Sequence, residues 1–333
     1  MSFSPNIPQV GALSFGAAPI GNLYRAITDQ QAEQAIRRAL ALDIHLFDTA
    51  PYYGFGLSEE RVGRSLHGST AMISTKVGRL LDPIHNADPT AVRHGFHSDK
   101  SFEPRFDYSY RGVMASFEAS LGRLKRDRVD ILLAHDLGQK THGADHPRYF
   151  KDFIEGGYRA MRELRDAGRV KSIGLGVNEV EVCLQAMNHA DFDCFLLAGR
   201  YTLIEQGAGR EFFPRCRKKN IGVIAAGPFN SGILVEKEGS QYHYNYERAP
   251  DDVVRSRQQL AQICAQFGIP LAAAALQFVA AHPAVTTVLA GFAHSDEVSA
   301  AVEMMKVSIP TEFWRELHQR ELLEEYSFLP GEI

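Results

Sequence analysis

Three apolar segments of the sequence each end in a residue that can bind or transfer a proton. HLFD ends at Asp48, ISTK at Lys76 and LLAH at His135. A polar residue after one buried strand is common, but three such ends in one barrel would meet at the same mouth. Two adjacent tyrosines, Tyr52 and Tyr53, follow the first of them, in the stretch FDTAPYYGFG. One of these tyrosines and the three strand-end side chains are therefore candidates for a common site.

The four side-chain types together suit proton transfer. A phenol has an ordinary pKa near ~10, which is too high for ready proton exchange at neutral pH. A nearby ammonium lowers that pKa by stabilising the phenolate, and a carboxylate holds the ammonium in place. A neutral histidine can orient the same substrate oxygen. We predict that one of the two tyrosines is general acid to a carbonyl or general base to an alcohol, with hydride transfer to or from a nicotinamide as the partner reaction.

The glycines near these residues do not form a dinucleotide-binding loop. Gly54 and Gly56 supply two positions of GxGxxG, but Glu59 stands at the third. The segment Gly174–Gly176 fails in the same way, because Glu179 occupies the third position. Acidic residues at a helix start would oppose a bound pyrophosphate. The sequence also lacks a P-loop, a GxSxG motif and a zinc signature, so no metal site is predicted.

Eight short apolar segments alternate with amphipathic segments along the chain. Their Val, Ile, Leu and Ala content is typical of parallel strands buried on both faces. The predicted strands are Leu13–Ala18, Ile44–Asp48, Met72–Lys76, Asp130–His135, Ser172–Val177, Phe195–Gly199, Gly222–Ala226 and Thr287–Ala290. This alternation predicts an α/β fold, a closed (β/α)8 TIM barrel that forms one domain over residues 1–333. An open doubly wound sheet is the alternative, since periodicity does not reveal closure.

Helical spacing and loop length complete the predicted architecture. Amphipathic helices are predicted at 26–42, 108–126, 153–168, 179–190 and 251–268. Asp29 suits a helix N-cap, and Gly168 and Gly268 suit helix exits. Three connections are longer than usual and would rise over the carboxyl ends of the strands, where barrels carry their sites: Gly78–Tyr108, Asp136–Phe150 and Gly227–Pro250.

Composition excludes several classes of protein. With 45% hydrophobic and 23% charged residues, the 333-residue chain is typical of a soluble globular protein. Its 36 basic and 40 acidic residues give a net charge of -4, which argues against nucleic acid or an anionic membrane as the main partner. The sequence has no export signal or membrane-spanning stretch, so we predict a cytoplasmic protein. The scattered cysteines, without a CxxC pair, are predicted to be buried, reduced thiols.

Five motifs, in the same order across nearly the whole chain, resemble the aldo-keto reductase superfamily: DTAPYYG, ISTKVG, LLAHD, GLGVN and IAAGPFNSGIL. The resemblance implies a (β/α)8 barrel preceded by a short amino-terminal hairpin, which would fall at Ile7–Leu13. It also implies that the four candidates named above form a catalytic tetrad, with Tyr53 as its tyrosine. Tyr52 is then a packing or pocket residue.

The same resemblance implies a nicotinamide cofactor. The implied cofactor-binding residues are Gly16, Ala17, Asn178, Gly227, Pro228, Phe229, Ser231, Gly232, Gly291 and Glu297. Among them, Asn178 would bind the carboxamide, and the segment after Ala226 would wrap the pyrophosphate. Ala226 itself stands where many members carry an aromatic residue that stacks on the nicotinamide.

The resemblance also bears on the choice of cofactor. Glu297, beside Asp296, stands where NADP-preferring members carry a basic residue for the 2′-phosphate. Carboxylates at that position would repel a phosphate monoester and could hydrogen-bond a free ribose diol. We therefore predict that NAD is preferred over NADP.

Within the superfamily, the phrases LFDTAPYYGFGLSEERVG, LAHDLG and LLAGRYTLIEQ resemble the D-threo-aldose 1-dehydrogenases, which include L-fucose and L-galactose dehydrogenases. The resemblance implies oxidation of the anomeric hydroxyl of an aldose of the L-fucose, D-arabinose or L-galactose type to a lactone. Pyridoxal 4-dehydrogenase, a related lactone-forming enzyme, is an alternative. A general aldehyde or ketone reductase and a cofactor-binding regulatory subunit are two more. We expect a small-molecule substrate and a monomer or homodimer.

Overall fold

Eight parallel strands close into a barrel in the computed structural model, which describes residues 6–85, 88, 90–236, 239, 241–245 and 247–330. Around the barrel the strands run in the order β1, β8, β7, β6, β5, β4, β3, β2. They are β1 Leu13–Gly16, β2 Leu46–Asp48, β3 Met72–Val77, β4 Ile131–His135, β5 Ser172–Val177, β6 Cys194–Ala198, β7 Gly222–Ala226 and β8 Val285–Gly291. The closed barrel is confirmed, and the open sheet is excluded.

Helices surround the barrel. The α-helices of the described residues are α1 Asp29–Ala41, α2 Leu57–Ser65, α3 Tyr110–Leu124, α4 Gln139–His142, α5 His146–Asp152, α6 Tyr158–Asp166, α7 Glu181–Ala186, α8 Phe212–Lys218, α9 Asp251–Gln266, α10 Leu271–Ala281, α11 Ser295–Lys306 and α12 Thr311–Gln319. The cap of α1 is Thr28, which forms a reciprocal capping box with Gln31. The prediction of Asp29 as the cap is thus wrong by one residue, because the Thr-x-x-Gln spacing begins at Thr28.

The three long connections carry secondary structure of their own. In the first, Arg79–Pro83 pairs with Phe102–Phe106, and Val92–Arg93 pairs with Phe96–His97, both antiparallel. The second contains α4 and α5 and continues into a π-helical turn at Phe153–Gly157. The third contains a small antiparallel pair, His243–Tyr244 with Glu247–Arg248. Each follows a barrel strand, as predicted.

The segment before β1 packs against the lower end of the barrel without strand pairing among residues 6–12. Its residues Ile7 and Val10 contact the apolar cluster inside the barrel. The predicted hairpin at Ile7–Leu13 is therefore wrong for the described residues. Pro8 has no N–H for a strand ladder, and Leu13 already belongs to β1.

Inside the barrel, an apolar lower layer supports a charged upper layer. The apolar cluster consists of Leu46, Ile131, Leu133, Cys194, Leu196, Ile224, Leu289 and, at its upper edge, Ala226, the last residue of β7. Residues two apart on a strand share a face, so Asp48 lies above Leu46 and His135 above Leu133. The strand period alone therefore directs these polar side chains into the barrel mouth.

The four cysteines lie inside the protein, as predicted. All four cysteines are buried and unpaired, and burial raises the pKa of each thiol, so they remain thiols at neutral pH.

Within the described part of the chain, no single helix has the length and apolarity needed to cross a membrane. The helices α9 and α10 together satisfy that criterion, but a bend of 102° separates them.

Candidate active site

A buried ion pair between Lys76 and Asp48 lies at the carboxyl ends of β3 and β2. Lys76 Nζ donates to Asp48 Oδ2 at 2.6 Å and to the carbonyl oxygen of Thr49 at 2.9 Å. Ser74 Oγ donates to the other carboxylate oxygen at 2.8 Å. The Lys76 and Asp48 side chains are 1% and 3% exposed. Burial raises the pKa of Asp48, and the Lys76 charge opposes that rise.

Gly176 on β5 provides space for the lysine. A Cβ at Gly176 would lie 3.2 Å from Lys76 Cε and 3.4 Å from Leu133 Cδ1, closer than most Cβ contacts. In the sheet register Gly176 is the partner of His135. The glycine of GLGVN therefore makes room for a neighbouring side chain in the interior of the barrel.

Tyr53 reaches the same mouth through a tight turn after β2. Gly54, Phe55 and Gly56 all have positive φ, and a Cβ at Gly54 would lie 2.3 Å from the carbonyl oxygen of Gly21. Lys76 Nζ is 4.7 Å from the centroid of the Tyr53 ring. The rings of Tyr53 and His135 are 5.8 Å apart and nearly perpendicular. The structure thus brings the four predicted residues together.

The pKa of Tyr53 departs from the prediction made from the sequence. Burial raises this pKa well above its ordinary value, and the Asp48 carboxylate raises it further. The expected lowering is therefore wrong for the protein alone. The physical reason is that Lys76 donates to Asp48 and to a backbone carbonyl, so the ammonium charge is largely compensated before it acts on the phenol.

His135 is held neutral beside the phenol. Burial lowers its pKa well below the ordinary value, and the charges of Arg79 and Lys76 add to that effect. Its Nδ1 is buried and has no hydrogen-bond partner among the residues that the structure describes. Tyr108, a buried residue of the first long connection, donates from its hydroxyl to the His135 carbonyl at 2.5 Å. The neutral imidazole can donate one hydrogen bond to a substrate oxygen.

A second buried ion pair, between Arg79 and Asp136, was not predicted from the sequence. Arg79 donates to Asp136 Oδ2 at 2.5 Å, and both side chains are 10% exposed. The Arg79 guanidinium carbon lies 4.1 Å from the centroid of the Tyr52 ring. Asp136 directly follows β4 and Arg79 lies two residues beyond β3, so their place in LLAHD and ISTKVGR was the available signal.

An aromatic wall borders the mouth on the side of the first long connection. Phe96 contacts Tyr52 edge-on at 5.4 Å between centroids and stacks with Tyr53 at 6.2 Å. Tyr52 in turn lies 6.0 Å from the His135 ring. The prediction that this connection rises over the carboxyl ends of the strands therefore fits the position of Phe96, a residue that sequence reasoning did not name.

The predicted cofactor residues lie on the other side of the mouth. Gly16 ends β1 and pairs in register with Gly291 at the end of β8. Ala17 is buried and donates its N–H to the carbonyl of Asp48 at 2.8 Å. Asn178, half-buried, directly follows β5, and its Nδ2 donates to Asp136 Oδ1 at 3.0 Å. Gly16 and Gly291 lie on neighbouring strands, whereas β6 and β7 separate Asn178, after β5, from β8.

The segment after β7 turns sharply across this side. Gly227, Asn230, Ser231 and Gly232 all have positive φ, between 44° and 96°. Pro228 is buried and Phe229 is partly buried, so the turn is anchored to the barrel. The Oδ1 atom of Asn230 is buried with no partner in the described ranges, which leaves an acceptor free for a ligand donor. The segment therefore fits the binding of a polar cofactor.

Glu297 makes contacts within the chain. Its Oε2 accepts the N–H groups of Ala293 at 2.7 Å and His294 at 3.1 Å, and its Oε1 pairs with Arg25. The carboxylate is thus fixed at the start of α11, and the Arg25 guanidinium partly offsets its charge. The neighbouring Asp296 is exposed.

The fold and the mouth together define a class of protein, the (β/α)8 oxidoreductases that combine a phenol, a buried lysine–carboxylate pair and a neutral histidine. In the described residues no group of three or more His, Cys, Asp or Glu side chains could hold a metal ion. The Aldo/keto reductase family model matches residues 12–321, and the chain belongs to this family. It is therefore an NAD(P)-dependent oxidoreductase that acts on CH–OH or carbonyl groups.

Curated relatives and solved structures agree with this assignment. Pyridoxal 4-dehydrogenase of Microbacterium luteolum is 39% identical over 326 residues, which cover 94% of this chain and 95% of the relative. D-threo-aldose 1-dehydrogenase of a Pseudomonas species is 34% identical over 320 residues, with the same coverage of each chain. The glycerol dehydrogenase AKR11B4 of Gluconobacter oxydans superposes with a TM-score of 0.74 at 20% identity, covering 99% of this chain and 98% of that one. That last likeness establishes the fold alone.

Proposed function

We propose that the protein oxidises the hemiacetal hydroxyl of a ring substrate to a lactone. The observation that carries this proposal is the convergence of Tyr53, Lys76 and His135 at one mouth. Both similar relatives bear names of dehydrogenases, and both pyridoxal and aldoses form internal hemiacetals whose CH–OH group yields a lactone. The direction of reaction is therefore dehydrogenation.

In this proposal the chain's own residues handle the proton and the orientation. Neutral His135 donates to the substrate hydroxyl oxygen, and Tyr53 takes the hydroxyl proton at its phenol oxygen. Lys76 stabilises the phenolate, while Asp48 keeps the ammonium in position. An oxidised nicotinamide, which Asn178 and the segment after β7 would hold, would supply the acceptor for the hydride of the hemiacetal carbon and so balance the two-electron oxidation to the lactone carbonyl.

The wall beside the mouth favours pyridoxal over the aldoses predicted from the sequence. Tyr52 is partly exposed and offers an aromatic ring to a planar substrate, and Phe96 packs edge-on against it. Arg79, stacked on Tyr52, carries a charge that Asp136 compensates in part, and the remaining positive potential would attract an ionised ring hydroxyl, which pyridoxal has and a neutral sugar lacks. An aldose of the L-fucose type is the second candidate, supported by the 34% identical relative.

NAD is proposed as the preferred cofactor. Glu297 is fixed near the adenosine side of the proposed cofactor site, with exposed Asp296 beside it. Arg25 compensates part of this charge, so the expected discrimination against a 2′-phosphate is modest. A value of kcat/KM for NADP equal to or above that for NAD would contradict this proposal.

The test is the absorbance of reduced nicotinamide with the isolated chain, each cofactor and a panel of pyridoxal, L-fucose, D-arabinose, L-galactose and D-glucose. We expect turnover with pyridoxal and NAD to exceed that with every sugar. Turnover with threo-configured sugars alone would replace the substrate and keep the mechanism. Absence of turnover with all five would contradict the hemiacetal chemistry and favour a carbonyl reductase or a regulatory subunit.

A further inference from the structure

Asp136 contacts three residues of the mouth, yet the proposed chemistry gives it no task. It directly follows β4 and has a φ of 47°, a left-handed conformation that aspartate tolerates better than most residues. Its residue exposure is 8%. One carboxylate oxygen accepts from Asn178, and the other accepts from Arg79 and faces His135. This is a buried charge at the centre of the site.

The contact with His135 concerns a particular atom. His135 Nε2 lies 3.4 Å from Asp136 Oδ2, beyond the usual length of a hydrogen bond. The imidazole is neutral, so one ring nitrogen carries a hydrogen and the other a lone pair. A carboxylate at this distance attracts an N–H and repels a lone pair. Nδ1 has no partner in the part of the chain that the structure describes, so no hydrogen bond on that side selects a tautomer.

We propose that Asp136 is a positioning residue that fixes neutral His135 in the tautomer with its hydrogen on Nε2. The long contact selects this tautomer without binding the N–H tightly, so the hydrogen stays available for the substrate oxygen. The role extends the proposed function, because that function needs His135 as a donor. A histidine with its hydrogen on Nδ1 would present a lone pair to the substrate hydroxyl oxygen.

A purely structural role for this ion pair is the competing explanation, and the chain contains a matched pair to test it. Asp193 accepts from Arg165 at 2.7 Å, and its side chain is 8% exposed. That pair lies at the amino end of β6, opposite the mouth. Alanine at Asp193 or at Asp136 removes a buried carboxylate from an arginine, but the Asp136 change alone removes the acceptor beside His135.

The first measurement needs neither substrate nor cofactor. Nitrogen-15 spectra of the full chain, labelled at histidine, report which imidazole nitrogen carries the hydrogen, and the His135→Gln variant assigns the signal. At pH 7.5 we expect the wild-type His135 to carry it on Nε2. A hydrogen on Nδ1 would overturn the proposal, whether or not the substrate has been identified.

The second measurement compares the two alanine variants. We expect Asp136→Ala to shift His135 toward the Nδ1 tautomer and to lower kcat by about 10- to 100-fold, as loss of an orienting partner does elsewhere. Asp193→Ala should leave both the tautomer and kcat unchanged. A folded Asp136→Ala protein with the wild-type tautomer would overturn the proposal. If that variant does not fold, a wild-type His135 with its hydrogen on Nδ1 would still overturn the proposal.

Discussion

The barrel mouth divides into two halves that are built differently. The half formed by β2, β3 and β4 carries buried charges and rings: the Lys76–Asp48 pair, the Arg79–Asp136 pair, Tyr53 and His135. The half formed by β5, β7, β8 and β1 carries the predicted cofactor residues, which include four glycines, a positive-φ turn and one amide side chain. The first half depends on side-chain chemistry and the second on backbone shape.

Because of this difference, substitutions should have different effects in the two halves. In the charged half each charged side chain is buried against a specific partner. The loss of one member of a pair therefore leaves the other member unpaired in the interior, where water is excluded. In the backbone half, the proposed cofactor contacts would be shared among several backbone groups, so the loss of one side-chain hydrogen bond should have a small effect. The expected effects therefore decrease from the first half to the second.

The largest effect is expected for Tyr53→Phe, which removes a single oxygen from the charged half. Because that oxygen is the proposed site of proton transfer, kcat should fall by about 10³-fold. The ring keeps its packing on Phe96, so the thermal midpoint and the cofactor Kd should stay near the wild-type values. Steady-state kinetics with calorimetry would measure this, and retention of a tenth or more of kcat would assign the proton to another group.

Lys76→Met should cost stability as well as activity. It leaves Asp48 buried without its cation, a change that destabilises proteins by about 3–5 kcal/mol. The free energy of unfolding in urea at pH 7 would measure the loss. Lys151→Met, at an exposed lysine, is the matched control and should change stability by less than about 0.5 kcal/mol. Equal losses of stability in the two variants would contradict the argument that burial makes the charged half sensitive to substitution.

The pH dependence of turnover should reveal the raised pKa of Tyr53. Below that pKa the phenol is protonated, and only the phenolate fraction accepts a proton, so the rate of oxidation should rise about tenfold per pH unit above neutrality. The reverse reduction uses the protonated phenol and should be nearly flat over the same range. An oxidation rate that falls as pH rises, under conditions where the protein stays folded, would rule out Tyr53 as the base.

The smallest effect is expected in the backbone half, for Asn178→Ala. One hydrogen bond of this kind contributes about 0.5–1.5 kcal/mol, so the Kd for NAD should rise by no more than about tenfold while kcat changes less. Fluorescence titration of the protein with NAD would measure it. A loss of 10³-fold in affinity would show that the cofactor depends on one side chain rather than on the backbone.

The charged half was largely predictable from the sequence. Asp48, Lys76 and His135 each end an apolar run, and the strand period directs them inward. The sequence did not reveal which charged residues pair with one another, because this pairing depends on the register between strands and on the paths of the loops. Arg79 lies two residues beyond β3 and Asp136 one residue beyond β4, where that period no longer applies.

The backbone half was accessible through family resemblance and not through residue chemistry. Glycines and an asparagine are common in any turn, so their types alone do not indicate a cofactor. Glu297 illustrates the limit: its position suggested a contact with ribose, but its carboxylate caps α11 and pairs with Arg25. The raised pKa of Tyr53 was equally inaccessible, because it depends on the burial and charge of the assembled site.

The space that Gly176 leaves for Lys76 should make this residue important for turnover, although glycine has no functional group. A methyl group there would press on the stem of Lys76 and on Leu133 in the barrel interior. In a mutational scan selected for activity, position 176 should therefore tolerate substitution as poorly as the ionisable positions of the mouth. Such a scan would identify Gly176, which has no side chain, as part of the active site.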